Sequence, residues 1–353
     1  MTLEEALKEV KPADAGAMEQ ACRHWDQVAK PLNSLGVLEE DIVRIAGIQR
    51  RADISILKKY IAVMCADNGI VEEGVTQTGQ HVTAVVAGNM ARRTSCVCHM
   101  ARIAGAQVFP VDVGIAGDLK ADGLLDRKIA PGTRNFLKGP AMDRSQAVRA
   151  LEIGIETAGI LKEKGCELAG TGEMGIGNTT TASAVISVLL DQKPENVTGR
   201  GAGLSGEGYR RKIRVIEEGI RLHAPDPFDG IDVLSKVGGF DLAALAGFYI
   251  GCGVYGIPAV LDGLITGAAA LAAVQICPAV KEYLLASHVS AEPAGKLVLD
   301  ALGLKAAIQA GMCLGEGTGA AAFFPMLDMA AAVYRDMSSF QEIRVEQYQH
   351  FAR

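Results

Sequence analysis

From Tyr60 onward the chain alternates between two kinds of apolar run. Short runs at Ile61–Ala66, Gln107–Val113, Glu167–Ala169, Ile257–Leu261, Tyr283–Ala286 and Ala306–Gly311 are bounded by turn residues and carry the mark of buried strands. Between them, apolar residues recur at helical spacing over Val82–Ala104, Ser145–Glu163, Thr180–Leu190, Gly208–His223, Leu242–Tyr255, Leu264–Cys277 and Pro293–Leu302. This alternation predicts a doubly wound, mainly parallel α/β sheet with right-handed crossovers. In such a fold ligands bind beyond the carboxyl ends of the strands. The residues expected there are Asp67-Asn68-Gly69, Asp112-Val113-Gly114, Glu173, Asp262-Gly263, Ser287-His288 and Gly315-Glu316-Gly317.

The chain ends read differently. Met1–Val10, Ala13–Ala29 and Leu38–Gln49 are helical in spacing, with breaks at Pro12, Pro31 and Gly36, and Thr318–Met337 is a further apolar helix. They predict a small helical subdomain from residues 1–50 with 325–353, beside a large α/β catalytic domain over 51–324. Gly117–Pro140 is polar and irregular, as a surface excursion would be. The uncharged stretch Leu242–Leu261 reaches membrane-spanning length, but it is rich in Gly and Ala, contains Pro258 and is framed by Asp241 and Asp262. It reads better as a buried helix followed by a buried strand.

Composition narrows the partners. Hydrophobic residues make up 49% of the 353 and aromatics only 5%, so the core is built from aliphatic side chains. A net charge of −6 with interspersed signs gives no footprint for nucleic acid or an anionic membrane. The acidic N-terminus lacks the basic start and apolar run of a signal peptide, which predicts a cytoplasmic protein acting on a small molecule. Eight cysteines lie scattered in apolar contexts, and Cys96-Val97-Cys98-His99 has the wrong spacing for a zinc knuckle, so no metal is expected.

The chemistry centres on Gly170-Thr171-Gly172-Glu173-Met174-Gly175-Ile176-Gly177-Asn178-Thr179-Thr180-Thr181. A glycine-rich turn between strand and helix lets backbone N–H groups and the helix N-terminus face an anion, phosphate above all. Gly170-x-Gly172-x-x-Gly175 also fits the dinucleotide fingerprint of Rossmann folds. That motif requires a second strand with an acid about 20 residues on. Here the chain offers Asp191 at a helix end, a turn, and a second glycine loop, Gly199–Gly206. Two structural turns remain a third reading. If both loops hold phosphate, Thr179 and Thr180 add hydroxyls and Lys212 or Arg211 a cation. No Walker sequence or nucleophile elbow is present, which leaves carboxylates as candidate catalysts. Glu173 and Glu316, each beside glycines, suit a desolvated general base, although either can instead cap a loop. His288 is the other candidate.

Together these motifs resemble the nicotinate-nucleotide:dimethylbenzimidazole phosphoribosyltransferases. The resemblance is carried by Cys65–Gly69, Val111–Gly114, Gly172–Gly175, Asn178-Thr179-Thr180, Asp229–Asp241, Leu261-Asp262-Gly263, Ser287-His288, Ser290-Ala291-Glu292 and Leu314–Gly317. It implies a homodimer with a large parallel α/β domain and a small helical one, needing no cofactor. The implied reaction moves phosphoribose from nicotinate mononucleotide to an aromatic base, giving an α-riboside 5′-phosphate and nicotinate. It further implies that Glu316 is the catalytic base and Glu173 a second active-site glutamate. Phosphate and ribose would be held by Gly175, Gly177, Asn178, Thr179, Thr180, Gly201, Gly203 and Lys212.

The acceptor pocket, by the same resemblance, takes in Asp67, Asn68, Thr78, Gly79, Val86 and Leu314. Here the chain departs from the common pattern: Asn68 stands where benzimidazole enzymes commonly have His, Thr78-Gly79 where they have Ser-Pro, and Val86 where they have Gln. Similar proteins of some anaerobes activate phenols through an O-glycosidic bond as two paralogous subunits. The acceptor therefore stays open between benzimidazole, purine and phenol, and the partner between a second copy and a paralogue. A catalytically silent subunit and a dinucleotide-dependent oxidoreductase are the remaining alternatives.

Overall fold

The computed structural model describes residues 1–350. Six strands form one parallel sheet: β1 Lys59–Ala66, β2 Ala106–Gly114, β3 Leu125–Asp126, β4 Leu168–Met174, β5 Ala259–Leu261 and β6 Leu284–Ala286, in the order β3-β2-β1-β4-β5-β6. The helices are α1 Leu3–Glu9, α2 Ala15–Gln27, α3 Val37–Gln49, α4 His81–Ala91, α5 Cys96–Ile103, α6 Arg144–Glu163, α7 Asn178–Leu189, α8 Pro194–Val197, α9 Gly206–His223, α10 Gly230–Val237, α11 Phe240–Tyr255, α12 Leu264–Ile276, α13 Gly295–Leu302, α14 Thr318–Asp336 and α15 Phe340–Ile343.

Both faces of the sheet are covered, and the period of two along each strand divides the core. Tyr60, Ala62, Met64 and Ala66 of β1 join a cluster with α6, α7, α11 and α12. Ile61, Val63 and Cys65 join a second cluster with α2, α3, α5 and α14. Burial on both sides is why parallel strands read as unbroken apolar runs. Trp25, Ile42, Ile45, Ala330 and Tyr334, from the helices at the two chain ends, belong to that second cluster and so continue it outward. The final part of the proposed helical subdomain, 351–353, lies outside the described residues.

The uncharged stretch from Leu242 is buried against α6, where a Cβ on Gly247 would lie 1.9 Å from the Leu151 carbonyl oxygen. Small residues there let two helices touch backbone to backbone. Among the described residues no helix is long and apolar enough to cross a membrane.

Four expectations need correction. The helix expected over Val82–Ala104 is two helices, α4 and α5, because the polar run Arg92-Arg93-Thr94 leaves the helical path at Arg93, whose φ is +63°. Ala306–Gly311 forms no strand beyond one bridge between Ile308 and His288, and the sixth strand is β3, inside the stretch expected to be irregular. The strand expected over Glu167–Ala169 continues to Met174, so the first glycines of the central motif are strand rather than turn. The fingerprint for a dinucleotide therefore has no turn to build on at Gly170 and Gly172. Finally, α10 was not anticipated, although Asp229 caps it by accepting from the backbone N–H groups of Ile231 and Asp232.

Candidate active site

Strand order reverses between β1 and β4, which run side by side with β2 on one flank and β5 on the other. A crevice opens at their carboxyl ends, where doubly wound sheets bind ligands. Its cavity measures about 230 Å3, and its walls include Glu173, Thr179, Gly201, Asp262, Leu314 and Glu316.

Glu316 sits in a strained loop. Gly315, Glu316 and Gly317 have φ values of +89°, +62° and +93°, three successive residues in the left-handed region. For a glutamate that conformation costs free energy and persists only where neighbours enforce it. The enforcement comes from β4 and β5. Gly172 has no side chain where the loop crosses it, and a Cβ there would lie 2.4 Å from the Glu316 carbonyl oxygen. Asp262, just past β5, accepts from the N–H groups of Gly317 and Gly319 at 3.0 and 2.6 Å, gripping the loop and the start of α14 together. The Glu316 carboxylate accepts from the Val97 N–H at 3.3 Å, at the N-terminus of α5. Burial raises its pKa, opposed by the Val97 and Ser95 donors.

Glu173 is the next-to-last residue of β4 and is buried. Burial first, and the Asp241, Asp262 and Glu316 carboxylates after it, push its pKa up to about 8 against the pull of Asn178. Burial likewise lifts Asp241 and Asp262 to about 6. His288 lines the same crevice, its Nδ1 3.0 Å from Ser287 Oγ, and burial lowers its pKa, which keeps it neutral.

The glycine loops meet at the other end. Gly177 precedes α7 with a φ of +94°, and no side chain caps that helix, so its N-terminus opens on the crevice with Gly175, Gly177, Asn178, Thr179 and Gly201 around it. Lys212 is buried on α9 and donates from Nζ to Thr179 Oγ1 at 2.8 Å and to the Gly199 carbonyl at 3.2 Å. Burial lowers its pKa to about 8, against Glu292. Gly203 is tied to the rim by the Gln77 amide. Thr180 is buried with its hydroxyl unpartnered and does not line the crevice. Asn178 lines it, but its side-chain NH2 is engaged by Glu173 and Asp241 rather than left for a phosphate.

The expected acceptor residues are divided. Leu314 is 56% exposed on the crevice wall. Thr78 and Gly79 lie in the exposed loop before α4, near Thr76 on the wall. Val86 packs into the cluster under the sheet. Asp67 is buried below the wall, accepting from Thr83 Oγ1 and the Ala116 N–H, and Asn68 beside it is fully buried with both amide atoms unpartnered. Two contributors were missed by sequence reasoning: Asp262 as the clamp on the Glu316 loop, and the N-terminus of α5 as the donor to Glu316. Asp262 stood out as an acid at a strand end. The second had no signal, since the expected helix ran through Val97. Among the described residues no three His, Cys, Asp or Glu side chains converge as a metal cluster would.

A family profile described as phosphoribosyltransferase matches residues 10–345. The chain is 45% identical to the nicotinate-nucleotide–dimethylbenzimidazole phosphoribosyltransferase of Ruminiclostridium cellulolyticum, over 99% of each sequence. It is 46% identical to the protein of the same name from Acetivibrio thermocellus, over 98% of each. The crystal structure of CobT from Thermus thermophilus superposes with a TM-score of 0.89 at 39% identity, covering 94% of this chain and 100% of that one. Match length, identity and superposition agree, and the chain belongs to the nicotinate-nucleotide–dimethylbenzimidazole phosphoribosyltransferase family.

Proposed function

We propose that this protein transfers phosphoribose from nicotinate mononucleotide to dimethylbenzimidazole or a related aromatic acceptor, with Glu316 as the base. The observation that carries this reading is Glu316 itself: a desolvated carboxylate held in a left-handed loop, facing the crevice that the open N-terminus of α7 shares. Phosphate at the glycine loops places the ribose along the strand ends. The C1′–N bond of the pyridinium breaks, its electron pair stays on the ring nitrogen, and nicotinate leaves without needing a proton. The acceptor's nitrogen bonds to C1′ from the opposite face while its proton passes to Glu316. Holding the two substrates in line supplies much of the remaining rate.

Incubation with nicotinate mononucleotide and, separately, dimethylbenzimidazole, adenine, phenol and p-cresol tests the reading, with nicotinate and riboside phosphate measured by mass. Dimethylbenzimidazole is the expected acceptor. Bound nicotinate mononucleotide with no nicotinate released for any acceptor would defeat it. We further propose a homodimer, and size measurement in solution decides this.

Two further outcomes are expected. Leu314→Ala removes an exposed apolar face from the acceptor's path, so acceptor KM should rise about tenfold or more, with nicotinate mononucleotide binding steady. Lys212 enters the reaction with its pKa lowered to about 8, and a phosphate dianion restores the charged form. Binding at about pH 8.5 should therefore take up roughly three-quarters of a proton. Calorimetry in buffers of different ionisation heat reads this uptake, and its absence removes Lys212 from the phosphate site.

A further inference from the structure

One amide nitrogen joins two buried carboxyls. Asn178 Nδ2 donates one hydrogen to Glu173 Oε2 and the other to Asp241 Oδ2, the latter at 3.0 Å. Asp241 is fully buried in the first turn of α11 and does not line the crevice. No cation is hydrogen-bonded to either group among the described residues. Two like charges so placed cannot both persist away from water, and one carboxyl keeps a proton.

The donors decide which. Asp241 accepts from Asn178 at Oδ2 and from the Leu242 N–H at Oδ1, 3.0 Å away, at the start of a helix where negative charge is favoured. Glu173 has Asn178 alone, and it faces Asp262 from the end of β5 and Glu316 from the loop above. Asp67, past β1, pushes the other way by adding its charge near Asp241, but it is one charge against the two that face Glu173, and Cys65 beneath stays a neutral thiol because burial raises its pKa. The proton therefore rests on Glu173. With Oε2 held by Asn178, Oε1 is the oxygen that carries it, turned toward Gly315 of the Glu316 loop, where a Cβ would lie 2.5 Å away.

We propose that Asp241, acting through Asn178, is a positioning residue that holds Glu173 as a neutral carboxylic acid, so that the crevice meets its substrates with a donor at Glu173 and an ionised base at Glu316. Two carboxyls are thereby set to opposite tasks by their surroundings. The donor suits a ribose hydroxyl or the substrate's carboxylate. This inference rests on the transferase reading above.

Asp241→Asn keeps the shape and removes the charge. Bound phosphate keeps Lys212 charged in the enzyme–substrate complex, so the alkaline limb of the kcat profile reports Glu173 losing its proton. In Asp241→Asn that limb should move to lower pH by at least about half a unit, the effect of deleting one charge roughly 5 Å away under water-like screening. In Glu173→Gln the limb should vanish. A limb that stays in place in the first variant or persists in the second overturns the proposal. Should Asp241→Asn fail to fold, infrared difference spectra of wild type against Glu173→Gln at neutral pH read the proton directly. Loss of a carboxylic-acid carbonyl band supports the proposal, and loss of carboxylate bands overturns it. That readout needs no turnover, so it stands apart from failure of the transferase reading, which absent nicotinate release would reveal.

Discussion

Glu316→Gln should lower turnover by about 10²- to 10⁴-fold, the range expected when a positioned base loses its capacity to accept a proton. The amide matches the carboxylate in shape, so the loop keeps its path and the Val97 N–H keeps an acceptor. Nicotinate mononucleotide binding should persist, because its proposed phosphate contacts lie at the other end of the crevice, around Lys212 and the start of α7. The pH profile supplies the second readout. Glu316 acts only when ionised, and burial raises its pKa, so the acid limb of kcat/KM should stand above the ordinary glutamate value near 4.3 and should be missing in the variant. Unchanged turnover in Glu316→Gln would end its role as base.

The second large effect is expected from a residue that touches no substrate in the proposed reaction. Gly172→Ala places a Cβ 2.4 Å from the Glu316 carbonyl oxygen, against backbone that has no rotamer with which to yield. The loop must lift, and a displacement of this order at the reacting group costs about 10²-fold in rate. The fold should survive, since overpacking of one methyl typically costs about 1–3 kcal/mol. The expected pattern is a large fall in kcat with a cooperative melt retained. Gly172→Ala with normal kcat would show that the loop's height above β4 does not matter to the chemistry.

What was legible in the sequence divides along physical lines. β1, β5 and β6 were readable because strands buried on both faces have unbroken apolar runs, α6 and α9 because their apolar faces repeat at helical spacing, and α11 because an uncharged Gly- and Ala-rich run suits a helix buried all round. The glutamates stood out because acids among glycines are rare in such runs. The split between α4 and α5 was hidden: Arg92, Arg93 and Thr94 are all tolerated within helices, and only a backbone turn at Arg93 separates the two. Glycine signals backbone freedom, so Gly170 and Gly172 have the look of a turn, whereas here they serve close approach by α14 and the Glu316 loop. Such a partner lies more than a hundred residues away along the chain and leaves no local trace. The clamp at Asp262 was hidden because its partners lie 55 and 57 residues on, and the engagement of Asn178 with two carboxyls because one of them, Asp241, lies 63 residues away.

The distribution of charge around the crevice bears on how the reaction ends. Asp262 and Glu316 bring negative charge to one end, with Asp241 behind them and Glu173 beside them as a neutral acid, while Lys212 stands at the other beside the phosphate loops. On the proposed reaction, the acidic end meets a pyridinium, whose positive charge exists only while the bond to ribose is intact. Once that bond breaks the ring is neutral, and the attraction that Asp262 and its neighbours exerted on the pyridinium is gone. The leaving group is thus released by its own loss of charge, while the riboside stays tethered by its phosphate. Such a site loosens nicotinate at the moment it forms, because the product has lost the positive charge that the acidic end favoured.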